Sequence, residues 1–210
     1  MNEITIGIFI FVISFLGYAS NWLNWRFLNY KINYFLYYVG AFVHETSHAV
    51  LCVLTGAKIS EYKVFVREPH VSYSNSKLPV IGNLLIAIAP MFGGLAALFL
   101  FNKYFLANHY VMPPFSVWKN FFVDFIKLLK QINTFQIKDI ITILLFLNIG
   151  ATIGPSWQDL KNVWPLILIL AFIPWPFFTH LGLLAIAMIL INIIFQILFI
   201  AVISVVNFLF

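Results

Sequence analysis

The sequence predicts an all-α polytopic membrane protein with about six transmembrane helices and a small membrane-associated β-hairpin after the second helix. Hydrophobic residues make up 62% of the 210 residues and charged residues only 9%, whereas a soluble domain carries about a quarter charged residues. The apolar residues form runs long enough to cross a bilayer, and one polar stretch between two runs alternates with a period of two. Because the spans use most of the chain, we expect residues 1–210 to form a single membrane-embedded domain.

Six apolar stretches are candidate spans, and they lie at residues 4–20, 32–56, 78–101, 138–154, 163–178 and 181–207. The first, fourth and fifth are near the lower limit of about 17 residues for a spanning helix, so the sequence allows four to six spans. No Lys or Arg precedes the first stretch, so we expect a retained helix instead of a cleaved signal peptide. Residues 21–31 mix aromatic rings with amides and cations, a pattern typical of an interfacial connector.

Two polar segments interrupt the apolar runs. Residues 58–76 alternate apolar and polar side chains on both sides of Pro69, with Phe65 as an exception, and are predicted to form two short strands. Residues 117–131 carry apolar side chains at helical spacing with lysines on the other side, which predicts an amphipathic helix in the membrane surface. A helix packed on the other spans is the alternative for this second segment.

The net charge of +5 does not indicate a nucleic-acid-binding protein, because the basic residues lie between apolar runs and not on one clustered face. We expect these residues to contact anionic lipid head groups. They are shared too evenly between the two predicted sides to orient the chain. The single cysteine, Cys52, excludes an intramolecular disulfide and is interpreted as a small core residue.

Residues 44–48 form an H-E-x-x-H box inside the second apolar stretch. In an α-helix, an i, i+4 spacing rotates by about 40° and rises about 6 Å, so His44 and His48 project from one face and can reach one metal ion. Glu45 lies about 100° around the helix from His44, where it can deprotonate a water molecule beside the metal, as in zinc metalloproteases. An unpartnered carboxylate at mid-membrane costs about 3 kcal/mol, so the box indicates a metal site.

A catalytic zinc ion needs a third protein ligand and an open fourth position. Among the remaining acids and histidines, Asp159 is the strongest candidate, because it follows a stretch broken by Gly and Pro. Irregular backbone at membrane depth is tolerated mainly where it lines a cavity or is buried in protein. Alternatively, Asp159 caps a helix or pairs with Lys161 at the surface. His180 is the reserve ligand, although an interfacial position between two spans also explains it.

Four segments together resemble the site-2 protease family of intramembrane zinc metalloproteases, and most closely its small single-unit bacterial and archaeal branch. They are F-V-H-E-T-S-H-A-V at 42–50, T-G-A at 55–57, A-P-M-F-G-G at 89–94 and P-S-W-Q-D at 155–159. The resemblance implies Zn²⁺ bound by His44, His48 and Asp159, with Glu45 as the base. Better known members have L-D-G or N-P-D-G at the aspartate, whereas this chain has Q-D-L and the S-x-x-D form of the smaller relatives.

The same resemblance implies a function and a location. The function is hydrolysis of peptide bonds in membrane-spanning or membrane-associated substrates by a zinc-dependent endopeptidase, with an edge strand of residues 58–76 pairing with the unwound substrate. An ordinary extramembrane hairpin is the alternative for that segment. Asn148 is expected to assist by donating hydrogen bonds to the substrate or the developing oxyanion, or else to be a buried structural amide. We expect a multi-pass protein in the plasma membrane of a prokaryote.

Two other interpretations of the box remain open at this point. A non-catalytic membrane protein could use the same ligands for a structural, regulatory or transported metal. A zinc-free scaffold could instead hold His44, Glu45 and His48 in a buried polar network between helices. Zinc analysis and cleavage assays separate the three interpretations, while substrate identity, orientation and oligomeric state stay open.

Overall fold

The structure, a computed structural model, describes residues 6–107, 109–115, 117–132, 136–161, 164–170 and 176–209. Its elements in chain order are α1 (Ile6–Phe27), α2 (Tyr30–Thr55), β1 (Ile59–Lys63), β2 (His70–Tyr73), α3 (Ile81–Tyr104), α4 (Phe121–Leu129), α5 (Ile137–Ile149), α6 (Trp157–Lys161), α7 (Trp164–Leu170) and α8 (Pro176–Leu209). Short 3₁₀ turns precede α4 and follow α5. The prediction of a mostly helical chain with a hairpin after the second helix is confirmed.

Three helices of the described residues are long and apolar enough to cross a membrane, over Gly7–Phe27, Ile81–Tyr104 and Thr179–Val206. Helix α2 is also long, at 26 residues, and it packs along α3 and α5. Helix α5 has 13 residues, which at 1.5 Å per residue is about 20 Å, too short for a core of about 30 Å. The predicted break after this stretch is therefore confirmed.

Residues 21–31, predicted to form an interfacial connector, are mostly helical, because α1 continues to Phe27 and only two residues separate it from α2. Just before this stretch, Ser20 Oγ accepts hydrogen bonds from Asn192 Nδ2 at 2.7 Å and Gln196 Nε2 at 2.8 Å, both on α8. Trp22 and Trp25 are exposed, whereas Asn24 is buried. The position of this stretch at the head groups remains a prediction.

The predicted boundary between the fifth and sixth spans, after residue 178, is also wrong. Helix α8 begins at Pro176, and α7 covers only Trp164–Leu170. Proline is favoured in the first turn of a helix, because its missing N–H has no helical acceptor there. Residues 171–175 of the predicted fifth span lie outside the described residues.

The two strands form an antiparallel hairpin, as predicted, with Tyr62 opposite Val71 and Lys63 opposite His70. Phe65, which interrupts the alternation of the sequence, lies beyond β1 and stacks on Phe42 of α2 with the ring centroids 5.8 Å apart. Its contact with α2 explains why it does not follow the pattern of the strand. The hairpin is thereby held against the helix that carries the H-E-x-x-H box.

Charges on the hairpin shift the pKa values of two exposed groups outside the membrane. The pKa of His70 is raised by its hydrogen bonds to the Glu68 carbonyl, at 2.9 Å, and to the Glu61 carboxylate, at 3.1 Å. The pKa of Glu61 is lowered, first by the Lys63 ammonium at 2.5 Å and then by His70. Exposed pairs of this kind contribute little to stability.

The segment predicted as an amphipathic helix contains a 3₁₀ turn and α4. Phe121 and Leu128 are buried in the main hydrophobic cluster, whereas Phe122 and Val123 are exposed. The helix therefore packs on the bundle with one face and leaves apolar side chains on another. Its position in the membrane surface remains a prediction.

At Gly40, helix α2 packs tightly against the end of α5 and the 3₁₀ turn that follows it. A Cβ atom on Gly40 would collide with the backbone oxygen of Asn148 and would lie 2.8 Å from Thr152 Oγ1. Only glycine therefore fits between α2 and the 3₁₀ turn after α5. This contact places the backbone of Thr152 beside the H-E-x-x-H box.

We predict that Gly40→Ala separates α2 from the 3₁₀ turn and destabilises the protein by about 1–3 kcal/mol, the usual cost of overpacking. The matched control is Gly17→Ala on α1, where a Cβ would lie 3.3 Å from the nearest atom, Gly154 Cα. Thermal unfolding in detergent should show a lower Tm for Gly40→Ala and a Tm near the parent's for Gly17→Ala. Equal Tm values for both variants would contradict the close approach.

Candidate metal centre

Helix α2 presents His44 and His48 from the same face, one turn apart. Both residues are buried, with 6% and 3% of their surface exposed. The two Nε2 atoms are 3.2 Å apart. The predicted convergence of the two imidazoles is therefore present.

The outer nitrogens of both rings point to backbone carbonyls. His44 Nδ1 lies 2.9 Å from the Thr152 oxygen, and His48 Nδ1 lies 2.8 Å from the Ile86 oxygen of α3. A carbonyl oxygen only accepts, so both Nδ1 atoms carry hydrogen and donate. In the neutral imidazoles both Nε2 atoms then carry lone pairs, and two lone pairs cannot bond to each other. A cation between the two Nε2 atoms would satisfy both lone pairs.

Two prolines explain why these carbonyls are free to accept. Within α3, Pro90 lacks the N–H that would donate to Ile86, four residues earlier. After α5, Pro155 lacks the N–H that a continuing 3₁₀ helix would direct at Thr152. The next donor, the backbone N–H of Ser156, binds Asp159 Oδ2 at 2.6 Å instead. Each proline thus leaves one acceptor for one histidine.

Asp159 completes the cluster from the short helix α6. Its Oδ1 lies 3.2 Å from His48 Nε2, and its Oδ2 lies 3.6 Å from His44 Nε2. Ser156 Oγ accepts a hydrogen bond from the Asp159 backbone N–H at 3.2 Å, which completes a reciprocal capping pair. The capping role and the approach to the histidines, which the sequence analysis treated as alternatives, therefore occur together.

The donor atoms of His44, His48 and Asp159 all lie within 4.8 Å of one another. Zinc bonds of about 2.0–2.1 Å to nitrogen in a tetrahedron place neighbouring ligand atoms about 3.3 Å apart. The separations of 3.2, 3.2 and 3.6 Å between the three residues agree with that value. Buried lone pairs that converge without intervening hydrogen atoms fit a divalent cation.

Glu45 follows His44 on α2 and lies beside this group. It is 7% exposed, and no hydrogen bond or ion pair holds its carboxylate among the described residues. The neighbouring Thr46 donates or accepts a hydrogen bond of 2.8 Å with Tyr62 Oη on β1. The hairpin therefore reaches the box directly, while the Glu45 carboxylate stays available for chemistry.

The two remaining predicted residues have other partners or surroundings. Asn148 Nδ2 donates to the Leu144 carbonyl one turn earlier at 2.9 Å, and the buried Asn148 Oδ1 has no protein partner among the described residues. The residue borders a groove with Tyr34 and Phe35. His180 is exposed on α8 and does not belong to the metal-ligand group found in the described residues.

A cavity of about 470 Å³ leads to His44, and we call it the α1 cavity. Helix α1 lines it with one face, made of Phe11, Ser14, Phe15, Tyr18 and Asn21. The opposite walls are Tyr37 of α2 and the broken segment at residues 151–160. Phe11 is 70% exposed and Phe15 62% exposed, so the cavity opens between exposed aromatic side chains.

Sequence reasoning missed the carbonyl acceptors and the α1 cavity. The signals for the acceptors were present as Pro90 in an apolar run and Pro155 before the aspartate, because a proline inside a helix leaves the carbonyl one turn earlier without its partner. Which histidine receives each carbonyl depends on helix packing. No sequence signal indicated that α1 borders the centre.

We predict that Pro90→Ala weakens zinc binding about tenfold or more, the usual effect of removing the hydrogen-bond partner that orients a metal-binding histidine. The new N–H of residue 90 would compete with His48 for the Ile86 oxygen. Pro165→Ala is the matched control, because Pro165 is exposed near the start of α7. Competition with a fluorescent zinc chelator measures the affinities. An unchanged zinc affinity in a folded Pro90→Ala protein would show that the freed carbonyl does not orient His48.

Comparisons with known proteins identify the family. Residues 22–176 match the model of the Peptidase M50B-like family, which covers more than half of the chain and includes the H-E-x-x-H box and Asp159. No curated protein matches the chain. No solved structure matches it either. The chain, a mostly helical membrane protein in which two buried histidines meet the partly buried Asp159, therefore belongs to the Peptidase M50B-like family, a site-2 protease family.

Proposed function

We propose that this protein is an intramembrane zinc endopeptidase that hydrolyses peptide bonds of membrane-spanning or membrane-associated substrates. The observation that carries the proposal is the pair of imidazole lone pairs 3.2 Å apart, facing the carboxylate of Asp159. Family membership supports a membrane metalloprotease. A buried site of this kind within apolar helices is expensive unless it serves a function.

The donor set favours zinc over harder cations. Two imidazole nitrogens and one carboxylate suit Zn²⁺, whereas Mg²⁺ and Ca²⁺ prefer oxygen ligands throughout. Three protein ligands leave one position open, as in catalytic zinc sites. When bound, zinc would polarise the scissile carbonyl and acidify a water molecule.

The residues of the chain would then have separate roles in hydrolysis. Glu45 accepts a proton from the attacking water and passes it to the leaving amine. The water oxygen bonds to the carbonyl carbon and the peptide C–N bond breaks, which yields a carboxylate and an amine. The Thr152 and Ile86 carbonyls hold the imidazoles of His44 and His48 in the tautomer that leaves Nε2 free. Asn148 remains a proposed assistant.

Substrate presentation is assigned to the hairpin. Among the described residues it is a two-stranded sheet, so each strand has an unpaired outer edge. Its contacts with α2 are the bond between Tyr62 and Thr46, the Phe65 stack and the Tyr73 ring 6.5 Å from the His48 ring. An unwound substrate could add to this edge as an extra strand and reach the centre in an extended conformation.

The proposed setting follows from the apolar helices and the family. We propose a multi-pass protein of a prokaryotic plasma membrane, surrounded by lipid and acting on a membrane protein or peptide. A non-catalytic metal-binding protein with the same ligands is the alternative class. The free carboxylate of Glu45 favours the enzyme, because a purely structural metal does not require a buried acid beside it.

We predict that Glu45→Gln retains zinc and the fold but loses cleavage by about 10²–10⁴-fold, since it removes the general base. The probe is a transmembrane reporter peptide of about 25 residues, rich in Leu and Ala with a central Gly-Pro break. Cleavage in liposomes is followed by mass spectrometry, and zinc by elemental analysis. Glu68→Gln, on the exposed loop of the hairpin, is the control and should cleave like the parent. If Glu45→Gln cleaved at the parental rate, the enzyme proposal would be wrong.

We predict that Asp159→Asn weakens zinc binding about tenfold or more, because a neutral amide replaces an anionic ligand. Asp124→Asn is the matched control, since Asp124 is a buried carboxylate that lies on α4, accepts from the Phe115 backbone and is not part of the ligand group. Zinc stoichiometry and chelator competition measure both variants. Parental zinc affinity in Asp159→Asn would remove Asp159 from the ligand set.

A further inference from the structure

The α1 cavity contains a phenol that the mechanism so far does not use. Tyr37 lies on α2 seven residues before His44, on the same helix face, and both residues line the cavity. The Tyr37 side chain is partly buried, and its hydroxyl makes no hydrogen bond with any described residue. The phenol also lies within electrostatic range of the Glu45 and Asp159 carboxylates.

Two other hydroxyls that line the cavity already donate inside the protein. Ser14 donates to the Ile10 carbonyl at 2.6 Å, and Thr152 donates to the Ile149 carbonyl at 2.9 Å. Tyr18 and Ser156 also line the cavity, but both are exposed. Tyr37 is therefore the partly buried hydroxyl of the cavity that has no hydrogen-bond partner among the described residues.

An unwound substrate would need such a donor. This inference rests on the proposed function. A substrate strand that adds to the hairpin pairs along one edge only, so alternate carbonyls face away from the hairpin. The hairpin contacts Thr46 and His48, whereas the α1 cavity reaches His44. A carbonyl without a partner in an apolar cavity costs several kcal/mol by transfer scales, about as much as a lost hydrogen bond in a membrane.

We propose that Tyr37 is a substrate-binding residue whose hydroxyl donates a hydrogen bond to a backbone carbonyl of the unwound substrate segment. The ligand class is an extended peptide, recognised through its main chain and not through a particular side chain. The bond holds the substrate in the cavity beside the metal centre. Tyr37 takes no proton and forms no covalent bond in this role.

The test measures equilibrium binding, so that it does not depend on turnover. Two zinc-loaded proteins in nanodiscs are titrated with the fluorescent Leu/Ala reporter peptide. One is the Glu45→Gln protein, and the other carries Tyr37→Phe in addition to Glu45→Gln. Removal of the hydroxyl should raise Kd about threefold to tenfold, the effect of one hydrogen bond. Zinc content and Tm should not change, because the hydroxyl has no partner inside the protein.

Tyr34→Phe is the matched control. Tyr34 lies on the same helix, stacks with Tyr30, contacts Tyr38 edge to face, and does not line the α1 cavity. Tyr34→Phe also removes a hydroxyl, but the Kd for the reporter peptide should stay at the value of the Glu45→Gln protein. Equal Kd values for Tyr37→Phe and Tyr34→Phe would overturn the proposal.

A second measurement identifies the acceptor. Ester linkages replace the amides of the reporter peptide one at a time. Each replacement weakens the carbonyl acceptor at that position. At one position the ester should raise Kd for the Glu45→Gln protein but add nothing in Tyr37→Phe, because the two changes remove the same bond. Additive losses at every position would overturn the proposal.

Binding and cleavage of the same reporter peptide test the binding role and the enzyme proposal separately. If the parent binds the reporter and Tyr37→Phe binds it more weakly, but the parent does not cleave it, the enzyme proposal fails and the binding role stands. If the parent cleaves the reporter and Tyr37→Phe binds it equally well, the binding role fails alone. A parent that neither binds nor cleaves the reporter overturns both.

Discussion

The metal centre depends on two backbone carbonyls that have lost their helical donors. Pro90 and Pro155 each remove an N–H, and the oxygens of Ile86 and Thr152 accept from the histidine rings instead. Inside a regular helix every backbone carbonyl accepts a hydrogen bond from the helix itself. A membrane helix therefore has a free carbonyl for a side-chain donor only where the helix is interrupted. The prolines therefore decide which ring nitrogen of each histidine faces the centre.

Main-chain hydrogen bonding also orients Asp159. The carboxylate of Asp159 has two oxygens, and one of them accepts from Ser156 while both still face a histidine. The close approach at Gly40 brings this broken segment to α2, so that backbone geometry and not side-chain flexibility sets the distances. Three ligands from two remote parts of the chain are thus held by main-chain contacts.

Much of this arrangement could be predicted from the sequence, because spacing within a helix is a local property. The H-E-x-x-H box, the hairpin and the broken stretch before Asp159 are read from periodicity and from Gly and Pro positions. The pairing of α1 with α8 could not be predicted, since Ser20 and its partner Asn192 are 172 residues apart along the chain. The cavity that Tyr37 lines likewise depends on how α1 packs.

The capping pair between Ser156 and Asp159 has a consequence for sequence variation at the site. The Ser156 backbone N–H donates to Asp159 Oδ2 at 2.6 Å, and Ser156 Oγ accepts from the Asp159 backbone N–H at 3.2 Å. Residue 156 therefore orients the carboxylate through helix-capping geometry. Threonine, aspartate or asparagine at this position would preserve the cap, whereas an aliphatic residue would remove it.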